Sequence, residues 1–281
     1  MGTPDVAAAT LGGLARAGFE VACVVTRGDK RRGRATTPEP SPVKAVATDL
    51  GLPVTERVGD VIGAGVDLGV VVAYGQVIRR PVLEAVPMVN VHFSLLPRWR
   101  GAAPVERAVL AGDTETGVCL MAVEEGLDTG GVYRKVATPI GPDETVAGLR
   151  QRLGELGTSI LVDALTVGLG TPEPQRGEAI YAAKVTPDEL RVDWAQPASQ
   201  IGRVVRVGRA WTTWRGKRLL LLDGRPAPDP GVVPGALDGA VVGTGQGGFA
   251  LVTVQPEGRH ALAAGDWLRG ARPRPGEILG S

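Results

Sequence analysis

Two histidines and two cysteines in 281 residues leave little room for metal or disulfide chemistry. Neither His92 nor His260 has a Cys or His partner at ligand spacing, so no metal site is expected. Cys23 and Cys119 each lie in an apolar, β-like run (VACVV and GVCLM), which reads as two buried thiols in a reducing compartment. Long apolar runs are missing too: none approaches the ~20 residues that span a bilayer. The first residues carry no basic start followed by an apolar stretch and a small-residue cleavage site. A cytoplasmic protein without a membrane segment is therefore expected. Net charge is only +1, so the chain as a whole is no electrostatic magnet, although residues 186–281 are slightly basic.

What is present is ordinary for a globular protein: 43% hydrophobic and 22% charged residues. The length favours two domains over one. In the first half, apolar runs alternate with helical patterns. Helices are expected over 6–17, closed by Gly18, and from the Ser41-Pro42 opening to Gly51. Strands are expected over 21–26, 68–73 and 89–93, then a helix over 104–111, strands over 116–123 and 131–138, and a long helix from about 144 to 169. Such alternation predicts an α/β domain with a mostly parallel sheet. Composition changes at Gly170–Glu178 (GTPEPQRGE), a Pro/Gly-rich linker. Beyond it, short β-like pieces at 218–222, 239–242 and 249–254 and one clear helix over 198–207 predict a small barrel. The expected division is 1–172, a linker over 173–185, and 186–281.

The run Gly243-Thr-Gly-Gln-Gly-Gly248 matches the dinucleotide fingerprint G-x-G-x-x-G. That fingerprint needs a helix after it to meet a phosphate, and here strand follows, so a hairpin turn is the better reading.

Chemistry concentrates between Asn90 and Asp128. In Asn90-Val-His92-Phe-Ser94 the polar residues occupy alternate positions, which places them on one face of a strand. The chain then leaves through the loop Pro97-Arg-Trp-Arg-Gly-Ala-Ala-Pro104. A second loop, Glu124-Glu-Gly-Leu-Asp128-Thr-Gly-Gly131, has the glycines a tight approach requires. An amide, an imidazole and a carboxylate suit acyl transfer to an amine. The attacking amine must lose a proton, and the oxyanion that forms needs a donor. Asn90 and His92 can donate to that oxyanion, and Asp128 can hold the imidazole or accept the proton. No Ser or Cys with its own base is evident, so direct transfer is expected over a covalent enzyme intermediate.

The Asn90–Pro104 run, followed by Gly126-Leu-Asp128-Thr-Gly130, resembles the signature of the folate-dependent formyltransferases. Arg98-Trp99-Arg100-Gly101 leans towards the branch acting on methionyl-tRNA. Further matches run in order along the chain, from Gly2-Thr-Pro-Asp5 through Val72-Ala-Tyr-Gly75 and Arg191-Val-Asp-Trp194 to Leu268-Arg-Gly-Ala-Arg272. The resemblance implies a Rossmann-like formyltransferase domain and an OB-like module. It implies 10-formyltetrahydrofolate as donor and methionyl initiator tRNA as acceptor, with no metal. Asn90, His92 and Asp128 take the catalytic positions, and Ser94, Leu95, Leu96 and Pro97 the folate-contacting segment. The basic run with Lys30, Arg31, Arg32 and Arg34 lies where such proteins have a loop entering the tRNA acceptor arm. Arg206, Arg209, Arg215 and Lys217 of the second module are expected to hold the tRNA from the other side. Three departures are visible. The family's opening strand would precede Gly2-Thr-Pro, so a start assigned too late is expected; the stretch between Val54 and Val70 is short; and Val205–Trp211 replaces a longer, proline-bearing segment. Nothing demands more than a monomer.

Overall fold

The computed structural model describes residues 1–31, 37–274 and 277–280. They form two compact units. The first comprises Met1–Val105, Glu115–Pro139 and Leu149–Ala183; the second comprises Glu106–Thr114, Ile140–Gly148 and Lys184–Ser281.

In chain order the first part holds α1 (Asp5–Arg16), β1 (Val24–Val25), α2 (Pro42–Asp49), β2 (Val54–Thr55), β3 (Gly69–Val72), α3 (Arg80–Ala85) and β4 (Met88–His92). Then come β5 (Arg100–Gly101), α4 (Pro104–Ala111), β6 (Glu115–Ala122), β7 (Val132–Pro139), α5 (Val146–Val167) and β8 (Tyr181–Ala182). The local signals act as expected. The Ser41 hydroxyl accepts the Lys44 amide proton at 3.0 Å and Pro42 opens α2. Gly18, Gly51 and Gly112 follow their helices with positive φ.

Strands order as β3-β4-β6-β7, with β1 and β2 paired separately. The pairs β1–β2, β3–β4 and β5–β8 are parallel. The strand β6 runs antiparallel to β4, and β7 antiparallel to β6. The loop between β6 and β7 is shorter than the dozen or so residues a parallel crossover needs. The expected strand over 21–26 is reduced to β1. Between β1 and β3, Met1 and Gly2 make the bridge. Gly2 N–H donates to Val25 O at 3.1 Å, Val72 N–H donates to Met1 O at 2.9 Å, and the Met1 amine donates to Val70 O at 2.6 Å. Beside them lies a cavity of about 490 Å³, walled by residues 19–25, 65–70 and the buried face of α1.

The sheet has two unlike faces. Val89 and Val91 point to the side covered by α5, where Gly157 approaches so closely that a Cβ there would lie 2.7 Å from Val91. Leu149, Leu153 and Leu161 of α5 are fully buried on that side. By strand alternation Asn90 and His92 face the other way.

The second unit contains α6 (Ala198–Val207), β9 (Ala210–Trp214), β10 (Lys217–Ala227), β11 (Leu237–Asp238), β12 (Val241–Gly243), β13 (Gly248–Pro256), β14 (Leu262–Ala263) and α7 (Ala264–Ala271). Its six strands are antiparallel, in the order β11-β12-β13-β10-β9 with β14 beside β13, an OB-like module open at its edges. Two register shifts near Asp223 bend the long β10, which lets one sheet wrap a core of Trp194, Trp214, Leu221, Phe249 and Trp267. The Gly243–Gly248 run is the hairpin between β12 and β13, strand on both sides. Helix α7 was not expected, because Gly265 and Gly270 weaken its pattern; burial of Trp267, edge-on to Trp214 at 5.5 Å, holds it instead.

Candidate active site

β4 presents Asn90, half-buried, and His92, whose side chain is 6% exposed. The chain after β4 is drawn into a tight loop by the Ser94 hydroxyl, which donates to Arg98 O at 2.6 Å. Leu96 lies wholly in the core and its peptide bond to Pro97 is cis. Trp99 then takes φ +63°, turning its carbonyl back towards the strand, where His92 Nε2 meets it at 2.9 Å. A carbonyl can only accept, so Nε2 carries the proton. The neutral ring therefore keeps its lone pair on Nδ1.

That Nδ1 faces Asp128 Oδ2 at 3.6 Å. The loop bearing Asp128 leaves β6 level with Val89, the opposite end of β4 from His92, and folds back over the polar face. Its path depends on glycine: a Cβ on Gly130 would lie 2.0 Å from the Ala122 carbonyl oxygen. Asp128 itself has φ +52°, a left-handed conformation that costs energy for a residue with a Cβ. Its carboxylate is fixed by the Gly101 amide, which donates to Oδ2 at 2.7 Å. Gly101, at φ +120°, lies against Ala182 of β8 so closely that a Cβ would be 2.9 Å from that carbonyl oxygen.

Sequence reasoning missed Gln175, in the middle of the Pro/Gly-rich segment read as a linker. Its Oε1 accepts from Arg100 Nε and Nη2 at 3.1 and 2.8 Å; its Nε2 donates to Asp128 O and Gly130 O, both at 2.8 Å. The segment is stitched down on both sides, by Glu173 against Val132 and by β8 against β5. A cleft of about 610 Å³ opens here, lined by Leu96, Tyr133, Lys135, Gln175 and Arg176 among others. Behind Leu96, burial pushes the Cys119 thiol above its ordinary pKa, which makes it a poor nucleophile.

The other expected contacts fall out unevenly. Of the segment 94–97, the Ser94 hydroxyl is engaged and Leu96 buried, which leaves Leu95 and Pro97 partly exposed. Lys30 and Arg31 are exposed, and Lys30 exchanges backbone hydrogen bonds with Glu39; Arg32 and Arg34 lie outside the described residues. Arg209 and Lys217 are exposed. Two expected cations are engaged within their own unit instead. Arg206 donates to Gly141 O and Glu144 O, and burial lowers its pKa. Arg215 binds Glu277 with two hydrogen bonds and stacks on Trp214. Arg191 and Arg218 lie over the Trp211 ring at 5.6 and 4.4 Å. Among the described residues, no group of three or more His, Cys, Asp or Glu is placed to hold a metal ion. Among the described residues no helix is long and apolar enough to cross a membrane.

An α/β unit with an amide, an imidazole and a carboxylate beneath a glycine-shaped loop, joined to an OB-like module, has the architecture of an acyl-group transferase. The chain belongs to the formyl transferase family: residues 1–165 match its formyl transferase model and residues 184–272 its C-terminal domain model. It is 43% identical to the methionyl-tRNA formyltransferase of a Jannaschia species, over 99% of this chain and 98% of that protein. It is 42% identical to the one from Heliobacterium modesticaldum, over 100% and 98%. Among solved structures, the methionyl-tRNA formyltransferase from Clostridium thermocellum superposes with a TM-score of 0.54 at 19% identity, covering 62% of this chain and 80% of that one. A Helicobacter canadensis N-formyltransferase does so with 0.69 at 13%, covering 89% and 97%. At such identities the structures speak for the fold alone.

Proposed function

We propose that this protein transfers the formyl group of 10-formyltetrahydrofolate to the α-amine of methionyl initiator tRNA in the cytoplasm, for translation initiation. Identity above 40% along nearly the full length to proteins named for this reaction carries the reading.

The geometry is consistent with the following roles. With Nε2–H given to Trp99 O, His92 has Nδ1 free to take the proton an attacking amine must lose. Asp128, 3.6 Å away, stabilises the resulting imidazolium. Both ring nitrogens are thus occupied, and the Asn90 amide remains as the donor for the oxyanion. This narrows the sequence expectation, in which His92 shared that donation. When bound, 10-formyltetrahydrofolate supplies the activated formyl group. Leu95 and Pro97 are the partly exposed members of the 94–97 segment, and the cleft that Leu96 helps to line lies in the size range of small-molecule sites. Lys30, Arg31, Arg209 and Lys217 are the described cations of the expected tRNA set left facing solvent.

The deciding experiment compares formyl transfer to charged initiator tRNA, free methionine and an amino sugar under one donor concentration. Strong preference for the tRNA is expected; equal turnover of the small amines would overturn the assignment in favour of a small-amine formyltransferase.

A further inference from the structure

We infer that Gln175 is a positioning residue, whose side-chain amide locks the Asp128 loop in its reactive shape. The inference rests on the formyl-transfer reading and adds a residue to its site.

Gln175 stands at a junction with opposite demands on its two sides. Arg100 brings two N–H donors to one side, and the carbonyls of Asp128 and Gly130 bring two acceptors to the other. Only an uncharged carboxamide answers both at once, an oxygen for the guanidinium and an NH2 for the carbonyls. The four contacts also fix the orientation of the amide, because the reversed one would set donor against donor and acceptor against acceptor.

The carbonyls it holds flank Thr129 and belong to the left-handed Asp128 and to Gly130, where the chain passes too close to Ala122 O for any side chain. A strained turn of this kind persists only when its surroundings hold it. Gln175 supplies that hold and ties the turn to Arg100, whose neighbour Gly101 carries the Asp128 carboxylate. A closed ring results: Gln175 to Asp128 backbone, Asp128 carboxylate to Gly101, and Arg100 back to Gln175. His92 is the group that faces the product of this arrangement. The amide touches neither ring nor carboxylate, so its effect passes through Asp128.

Gln175→Glu and Gln175→Met in the full chain test the assignment. Glu keeps the Arg100 contact but sets an oxygen against two carbonyls; Met keeps the volume and neither contact. Displacement of Asp128 by about 1 Å is expected to lower kcat roughly 10²-fold in both, with KM for tRNA within about threefold. Amide exchange in peptides covering 126–131 should quicken at least about tenfold, while peptides from β10 keep wild-type protection and show that the chain is folded. Wild-type kcat or wild-type loop protection in either variant would overturn the inference. A wild-type protein inactive on charged tRNA would instead sink the function proposed above, and the exchange result would still decide the role of Gln175.

Discussion

Asp128→Asn isolates one charge. The carboxylate oxygen that faces His92 also accepts the Gly101 amide proton, and an Asn carbonyl oxygen can keep that bond, so the loop need not move. What disappears is the attraction between a carboxylate and an imidazolium 3.6 Å apart. At an effective dielectric of about 20 this is worth about 4–5 kcal/mol, because the two side chains are only 6% and 15% exposed and solvent screening is weak. If that attraction develops only when His92 takes the proton, the whole of it bears on the barrier. The expected loss in kcat is then roughly 10³-fold. KM for tRNA should hold, since the contact is made after binding. Single-turnover formyl transfer with saturating donor, followed by extraction of formyl-methionine, measures the step directly. A variant within about tenfold of wild-type kcat would refute the role given to this charge.

Gly130→Ala should lower the melting temperature and remove most activity, because its Cβ would meet the Ala122 carbonyl at 2.0 Å and backbone must shift. Circular dichroism melting beside an activity assay checks both. Arg206→Ala and Lys217→Ala should separate: the first destabilises by stranding Gly141 O and Glu144 O, while the second leaves melting unchanged and weakens tRNA binding, its salt slope falling by about one. Binding titrations at several salt concentrations, beside thermal melts, distinguish them. Glu189 has a pKa pulled down from 4.5 to about 2, first by its Arg107 hydrogen bond. Its folded value lies below its unfolded one, so it adds stability that is present above 4.5 and lost as pH falls towards 2. Glu189→Gln should flatten that part of the acid unfolding curve, leaving the share contributed by Glu277, which titrates in the same window through Arg215.

Readable in the sequence were the features set by local rules. The Ser41-Pro42 opening, the glycine stops and the alternation around Asn90 and His92 depend on near neighbours, and the structure repeats them. The apolar runs do not show which way β6 and β7 run; the short loop that connects them sets the two antiparallel to each other. Helix α7 was missed because its stability comes from Trp214, far away in sequence. The same reason hid Gln175, since nothing in PEPQRGE shows that Arg100 and Asp128 lie on either side of it. Arg206 and Arg215 were expected to hold tRNA, and charge counts could not show that a carbonyl or Glu277 meets them across the fold.

The stitching of residues 173–182 onto the first unit bears on how such proteins recombine. A chimera joined within the Pro/Gly-rich segment, the natural choice from composition, would import a foreign residue opposite Arg100 or a foreign strand beside Gly101. A junction after Ala183, where the first unit ends, keeps these contacts whole, provided that the partners of Arg206 at Gly141 and Glu144 travel with the carboxyl-terminal module.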